Sequence, residues 1–473
     1  MDFLKPFVRS NLLSIHFLCK LEKKIGESQR KHQFTKLRNL LSSLHFLIPT
    51  YSIAKEVVLV NFILLTIQTN QTLKNLSFLH SAFIFILFLT IAFNTQNTNA
   101  QGCVAVRQMG GQNMNSSNSY DLSEGEFQVG TNYRYFHSWR HFVGKEEQPQ
   151  RQLTGGGFDA NGKERGNAVN IYSHAVDLNI SYGLTDRIQL NATLPYVNNE
   201  RSQILRQTTP VKNTYRYSVY ADGIADARLS VNYWVFDPKT AKKGNLMVGL
   251  GVKLNTGSHD RRDDAPQADG TTKSVVMDQA IQPGDGGVGF SVELQAFRQL
   301  TGRLYGFANG YYLFNPRESN GTFKSAPKAG LEGYNIYASP DQYFGRAGFM
   351  AAVDKKENFT VSLAGRFEGI PAYDAFGGQV AYRRPGYVIA VEYGFSYRIG
   401  NHGLSLYIPY NIVKNRIQSA ADIADQNLQN SVITDPSKYV HVQGDAAFAD
   451  YSINVGYSYR FNLNKKMKMT MKH

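Results

Sequence analysis

Only two cysteines, Cys19 and Cys103, occur in 473 residues, so no disulfide framework supports the fold. Long apolar runs are missing past residue 100, where nothing approaches the roughly 20 residues that a membrane-spanning helix needs. No basic stripe interleaved with aromatics marks a nucleic-acid surface. No Cys/His metal spacing, phosphate loop or cofactor motif is present, and Gly155-Gly156-Gly157 precedes no helix. Neither metal nor cofactor is therefore expected. The net charge of +14 says little about partners, because about half of the excess lies in the first 100 residues.

What the chain does have is Tyr and Phe, 28 and 29 of them, set in alternating segments. From Tyr451 to Phe461, Tyr451, Ile453, Val455, Tyr457, Tyr459 and Phe461 share one face, and Ser452, Asn454, Gly456, Ser458 and Arg460 share the other. A strand repeats every two residues, so this is a ribbon with one apolar, aromatic side and one polar side. The pattern recurs over twelve segments: 124–136, 170–182, 187–197, 224–236, 245–255, 287–297, 303–314, 342–353, 358–369, 386–399, 403–414 and 447–461. Connections between them alternate between short (Gly183–Asp186, Gly400–His402) and long (256–286, 415–446). A soluble sandwich has no reason to segregate loop lengths. A transmembrane barrel does, with short periplasmic turns and long extracellular loops. The expected fold is all-β: an antiparallel up-and-down transmembrane β-barrel of about twelve strands, spanning 124–461, with both termini in the periplasm. Asn309 in the seventh segment, and Arg346 among Phe344 and Met350 in the eighth, disturb the alternation. Pro195 and Pro409 are expected at the outer rim or at bulges, since proline cannot donate to a ladder.

An export signal occupies residues 73–100. Its apolar stretch runs from Phe78 to Phe93, and Thr98-Asn99-Ala100 offers a cleavage site, so the mature chain is expected to begin at Gln101. Residues 1–72 are basic and place this signal far inside the chain. We read them as a doubtful leader, with translation starting at Leu73 from a non-standard codon; the alternative is a genuine long leader with a membrane-embedded first segment. Cys103 lacks the upstream apolar residue that lipidation needs, so it reads as a thiol in a flexible linker, 101–123. Residues 462–473 form a basic tail.

Three segments carry a likeness. Tyr182-Gly183-Leu184-Thr185-Asp186-Arg187 is followed by Leu194-Pro195-Tyr196. Asp222-Gly223-Ile224-Ala225-Asp226-Ala227-Arg228 leads to Tyr233. Gly249-Leu250-Gly251-Val252-Lys253-Leu254-Asn255-Thr256-Gly257 follows, with Asn255 where a proline is usual. Together they resemble the phenol-degradation meta-pathway family of outer-membrane transporter-like barrels. The mature N-terminus is similar to barrel proteins of Bacteroidetes-type bacteria. The resemblance implies a barrel of a Gram-negative outer membrane that passes small aromatic or hydrophobic compounds. Phe461 resembles the terminal aromatic read by the barrel-assembly machinery, although a tail follows it here.

Charged residues on the polar faces should point into the lumen, because Lys or Arg facing lipid at mid-membrane costs about 2–4 kcal/mol. They are Glu126, Arg134, Asp177, Asp226, Arg228, Lys253, Glu293, Arg366, Glu368, Glu392, Arg398 and Arg460. Such groups either contact permeant solute or pair across a filled interior. The expected function is non-enzymatic: passive or facilitated diffusion of small molecules through a porin-like barrel. Two alternatives stand beside it, a non-conducting structural or surface barrel and a rim-located lipid hydrolase. The hydrolase would use Ser173-His174 and His137-Ser138 paired across strands. Asp260, Asp263, Asp264 and Asp269 do not follow the spacing of a calcium loop and read as a solvated loop. Expected partners are outer-membrane lipid and lipopolysaccharide, the assembly machinery and a small-molecule cargo, with no nucleic acid. Mass spectrometry of the exported protein is expected to give Gln101 as the first residue; a peptide from before residue 73 would refute the Leu73 start.

Overall fold

Two-residue periodicity decides which side of a ribbon each side chain takes, and neighbouring ribbons must agree if they share one apolar face. A computed structural model shows the outcome for residues 122–153 and 166–462. The leader, the signal peptide with its Ala100–Gln101 junction, Cys103, nearly all of the linker and the tail beyond Asn462 lie outside the described residues.

Twelve strands close into a transmembrane barrel: β1 (Glu126–Val143), β2 (Asn170–Gly183), β3 (Ile188–Gln207), β4 (Arg228–Trp234), β5 (Gly244–Lys253), β6 (Gly289–Thr301), β7 (Leu304–Phe314), β8 (Gln342–Ala352), β9 (Phe359–Ile370), β10 (Gly386–Ile399), β11 (His402–Arg416) and β12 (Ala446–Asn462). Each pairs antiparallel with its neighbours in sequence, and β12 returns to β1, with Phe127 opposite Phe461 and Tyr135 opposite Ile453. Closure leaves no open edge, which is the condition for a sheet to sit in lipid.

The faces are inverted relative to a soluble protein. On β2, Val176, Leu178 and Ile180 are exposed while Ser173, Asp177, Asn179 and Ser181 are buried. Leu250 on β5 is 65% exposed, whereas Glu392 on β10 is 2% exposed. Rings ride at both ends of the outer apolar band: Tyr233, Tyr397, Tyr457 and Tyr459 near the short turns, and Trp139, Tyr196, Tyr220 and Tyr410 nearer the long loops. Amphipathic rings favour such interfaces.

Four sequence expectations change. First, the segment expected at 224–236 begins only at Arg228. Ile224 instead ends a separate strand, Asn213–Ile224, which pairs with the extension of β3 from Tyr196 to Gln207 and stands above the wall. β3 switches partners at Pro195, whose carbonyl accepts from Ala225 N at 2.9 Å; having no N–H, the proline suits the break. Second, β1 runs to Val143 instead of stopping at 136. Third, one face of β7 and of β8 that carries aromatic residues turns inward, while Phe349 on the other face of β8 is exposed. Tyr305, Phe307, Asn309, Tyr311 and Leu313 are buried with Phe344, Arg346 and Met350. Fourth, Pro409 lies within β11, paired with Glu392, and not at a rim or bulge: the β11–β12 ladder lacks pairs between Tyr407–Asn454 and Tyr410–Tyr451 while its register is kept.

The long loops fold into the mouth. Phe142, Ile171, Val219, Met277, Ile281 and Phe448 form an apolar cluster there. Ala446, Ala447 and Phe448 are buried in succession, so the start of β12 has both faces covered. Leu178→Arg places a charge near the middle of the outer band and is expected to cost about 2–4 kcal/mol in urea titrations of protein folded into vesicles. Asn179→Ala, on the inner face, should cost clearly less.

Candidate functional site

Charges from opposite walls converge at the waist of the barrel. Glu392 (β10) accepts from Arg346 (β8) and from Arg366 Nη1 (β9) at 2.8 Å. Arg366 also donates to Glu368 Oε2 at 2.7 Å. Across the lumen, Arg228 (β4) donates to Glu293 (β6) at 2.7 Å. Arg134 (β1) lies within electrostatic reach of Asp177 on β2 and of Glu368 and Arg366 on the far wall. The network therefore spans the interior.

Aromatic rings support the guanidinium groups. Arg346 lies over Phe307 and Tyr407, at 5.5 and 5.0 Å from their centroids. Arg366 lies 4.7 Å over Phe344, and Arg228 lies 5.0 Å over Tyr311. A desolvated cation over a ring gains about 2 kcal/mol. This explains why β7 and β8 turn aromatic faces inward: the rings form the bed of the arginine belt.

A second node sits above the belt. Lys253 Nζ donates to Asp226 Oδ2 at 3.1 Å, Asp285 Oδ1 at 2.6 Å and Gly287 O at 2.5 Å. Asp226 also accepts from the backbone of Gly257 and Asp285. Beneath it, Gly249 and Gly251 on the inner face of β5 admit Asn232 and Ser291; a Cβ at either position would fall within 2.5 Å of those side chains. Residues of the segments quoted for the family likeness thus anchor the loop 256–287 in the mouth.

Of the twelve charges taken from the sequence, nine are buried inside the barrel: Arg134, Asp177, Asp226, Arg228, Lys253, Glu293, Arg366, Glu368 and Glu392. Asp226 reaches the interior from the break before β4 and not from a strand. Glu126, Arg398 and Arg460 are half-buried at the short-turn rim, where Arg460 bonds Gln128 at 2.7 Å and Glu126 accepts from Ser123 N at 3.0 Å. Arg346 and Asp285 escaped the sequence reading. Phe461 stacks on Phe127 at 5.5 Å, at the closing seam.

The proposed hydrolase pairs do not form. Ser173 is buried and donates to Asn199 at 2.7 Å, while His174 points outward to Tyr133 at 2.8 Å. Ser138 is buried, while His137 bonds Asn170 and stacks on Tyr172. The acidic loop is occupied locally: Asp263 accepts from Tyr220 N, and Asp269 from Thr271. Among the described residues, no group of three His, Cys, Asp or Glu is placed to hold a metal ion.

No protein-family model and no curated protein matches the chain. Solved structures do. An outer membrane channel from Pseudomonas putida F1 aligns over 75% of this chain and 100% of its own, with 11% identity and a TM-score of 0.44. The Pseudomonas putida toluene transporter TodX aligns over 77% and 96%, with 12% identity and a TM-score of 0.34. The translocator domain of the autotransporter NalP from Neisseria meningitidis aligns over 72% and 90%, with 11% identity and a TM-score of 0.32. The likeness is distant, and nothing about cargo follows from it.

Glu392→Gln leaves two arginines without their shared carboxylate and should destabilise the folded barrel by about 3–5 kcal/mol in urea titration. Adding Arg346→Met should recover part of that loss, because it removes one of the stranded charges.

Proposed function

We propose that the chain is an outer-membrane barrel that passes small molecules by diffusion, closed at rest by its arginine belt. One observation carries this reading. The waist is occupied by side chains rooted in the wall, on β1, β2, β4, β6, β8, β9 and β10, and long side chains can swing aside without unfolding backbone. Ionic contacts at a constriction give selectivity when they exchange with a solute. The inner aromatic strip (Tyr305, Phe307, Tyr311, Phe344) favours aromatic or hydrophobic cargo, which slides along rings and leaves the ion pairs largely in place. Signal-dependent export, outer-membrane lipid and lipopolysaccharide around the apolar band, recognition of Phe461 by the assembly machinery, Bacteroidetes-type origin and the meta-pathway relationship all belong to this same reading. We assign no enzymatic role, a choice supported by the separation of Ser173 from His174 and of Ser138 from His137 onto opposite faces.

The folded protein in a planar bilayer should carry a small, fluctuating current. Arg346→Ala, which removes one arm of the belt, should raise it. Liposome swelling should be faster with phenolic acids than with sugars or amino acids. No current from well-folded protein, either parent or R346A, would eliminate the conduit and favour the structural barrel.

A further inference from the structure

The loop between β5 and β6 does not stay beside its own strands. It leaves the wall after Lys253 and returns at Gly289, yet its middle, residues 277–282, reaches the opposite side of the mouth. Met277, Ala280 and Ile281 share one apolar cluster with Phe142 (β1), Ile171 (β2), Val388 (β10) and Ala446, Ala447 and Phe448 (β12). In this closed ring β12 stands half the circumference away from β6. The segment therefore lies across the mouth as a crossbar.

Both ends of the bar are fixed. At the near end Lys253 holds Asp285 at 2.6 Å, and the two legs of the loop bind each other, Gly284 N donating to Ser258 O at 2.8 Å. A Cβ on Gly284 would fall 2.4 Å from Gly257 O, so the legs meet backbone to backbone. At the far end Asp278 accepts two parallel bonds from Arg384, of 2.5 and 2.7 Å. Burial opposes ionisation of Asp278, yet the Arg384 guanidinium holds that carboxyl well below the usual carboxylate range, so the fork is charge-assisted. Asn199 on β3 donates to Ile281 O at 2.8 Å, and Gln279 donates to Ala338 O at 2.5 Å. Within the bar, Gln282 donates to Met277 O at 2.9 Å and accepts from Arg261 N at 2.9 Å.

Space remains beside the bar. A cavity of about 230 Å³ is bounded by Asp278 and Arg384 and by Val169, Ile171 and Ala446. A protein cavity of about 150 Å³ holds one benzene ring. On that scale this space takes one substituted ring, whereas two rings need about 300 Å³.

We propose that the crossbar sets a size limit on what the barrel passes: solutes of one aromatic ring go by it, and larger ones do not. The inference rests on the passage reading and adds a filter separate from the belt. The belt governs how readily the waist yields, and the bar governs how large a solute reaches it. Asp278 and Asn199 are then specificity-determining residues, because they hold the far end of the bar in place.

The test is swelling of liposomes that hold the folded protein, with hydroxybenzoate (one ring) and hydroxynaphthoate (two rings). In the parent, hydroxybenzoate should enter at least about tenfold faster. Asp278→Ala releases the far end of the bar and should narrow that ratio to about threefold or less. Asn199→Ala, a milder change, should narrow it in the same direction. Arg346→Ala should speed both solutes and leave the ratio as it is in the parent. Heat-modified gel migration confirms that each variant is folded. Equal entry of the two solutes in the parent would overturn the proposal. So would an unchanged ratio in folded D278A and N199A, and faster swelling of R346A would then leave the passage reading standing. No swelling by the folded parent or by any folded variant would strike the passage reading and this inference with it.

Discussion

A strand edge in hydrocarbon has no water to satisfy its N–H and C=O groups, and each orphan costs several kcal/mol. The return of β12 to β1 removes that cost and fixes nearly everything else about the chain. An even number of strands brings the two ends of the barrel together at the short-turn rim, where Phe127 stacks on Phe461. It also commits every strand to one outward face and one inward face. Proline is tolerated only where the ladder is already interrupted, at Pro195 beside the partner switch and at Pro409 beside the skipped pairs of β11 and β12.

Closure creates an interior too narrow to be empty of side chains and too polar to be a hydrophobic core. The chain fills it with charges that satisfy one another. Removing those charges from water is expensive, and pairing them repays the cost only when hydrogen bonding is nearly complete. Glu392, held by two arginines, and Lys253, held by two carboxylates and a carbonyl, meet that condition. The aromatic bed under Arg228, Arg346 and Arg366 serves the same end, because a ring face stabilises a cation without needing a counter-charge.

Much of this was legible before the structure. β10 reads without a fault, Tyr387 to Tyr397 outward and Ala390 to Arg398 inward, and its bounds match the expected 386–399. The rule that charge avoids lipid placed nine of twelve candidates inside. Glu126, Arg398 and Arg460 lie half-buried at the short-turn rim, a position that periodicity does not give because it reports face and not depth. The same rule was not pressed at β8. Arg346 cannot face hydrocarbon, so Phe344 and Met350 beside it had to be interior, and the disturbed alternation was itself the sign of an aromatic lumen wall. The outer hairpin of β3 escaped for a different reason. From Asn198 to Gln207 both faces meet water or other loops, so the sequence there carries no apolar alternation to detect. Loop residues such as Asp285 and Asp278 carry no periodic signal at all; their positions follow from long-range folding of the loop into the mouth.

Node and belt divide the interior into stages, and their order constrains how a solute can travel. The loop 256–287 is tied to the wall through Asp226, Lys253 and Asp285, directly above the belt. Lys253 is 1% exposed and makes three close polar contacts, so the anchor has little freedom to open. Belt arginines have more latitude, since Arg346 and Arg366 share one carboxylate and rest on flat rings along which a guanidinium can slide. Under the proposed function, a solute entering from the loop side would meet the anchored loop first and the deformable waist second. In that reading the waist, reclosing through its own ion pairs, would set the rate, because the anchored loop has little freedom to move.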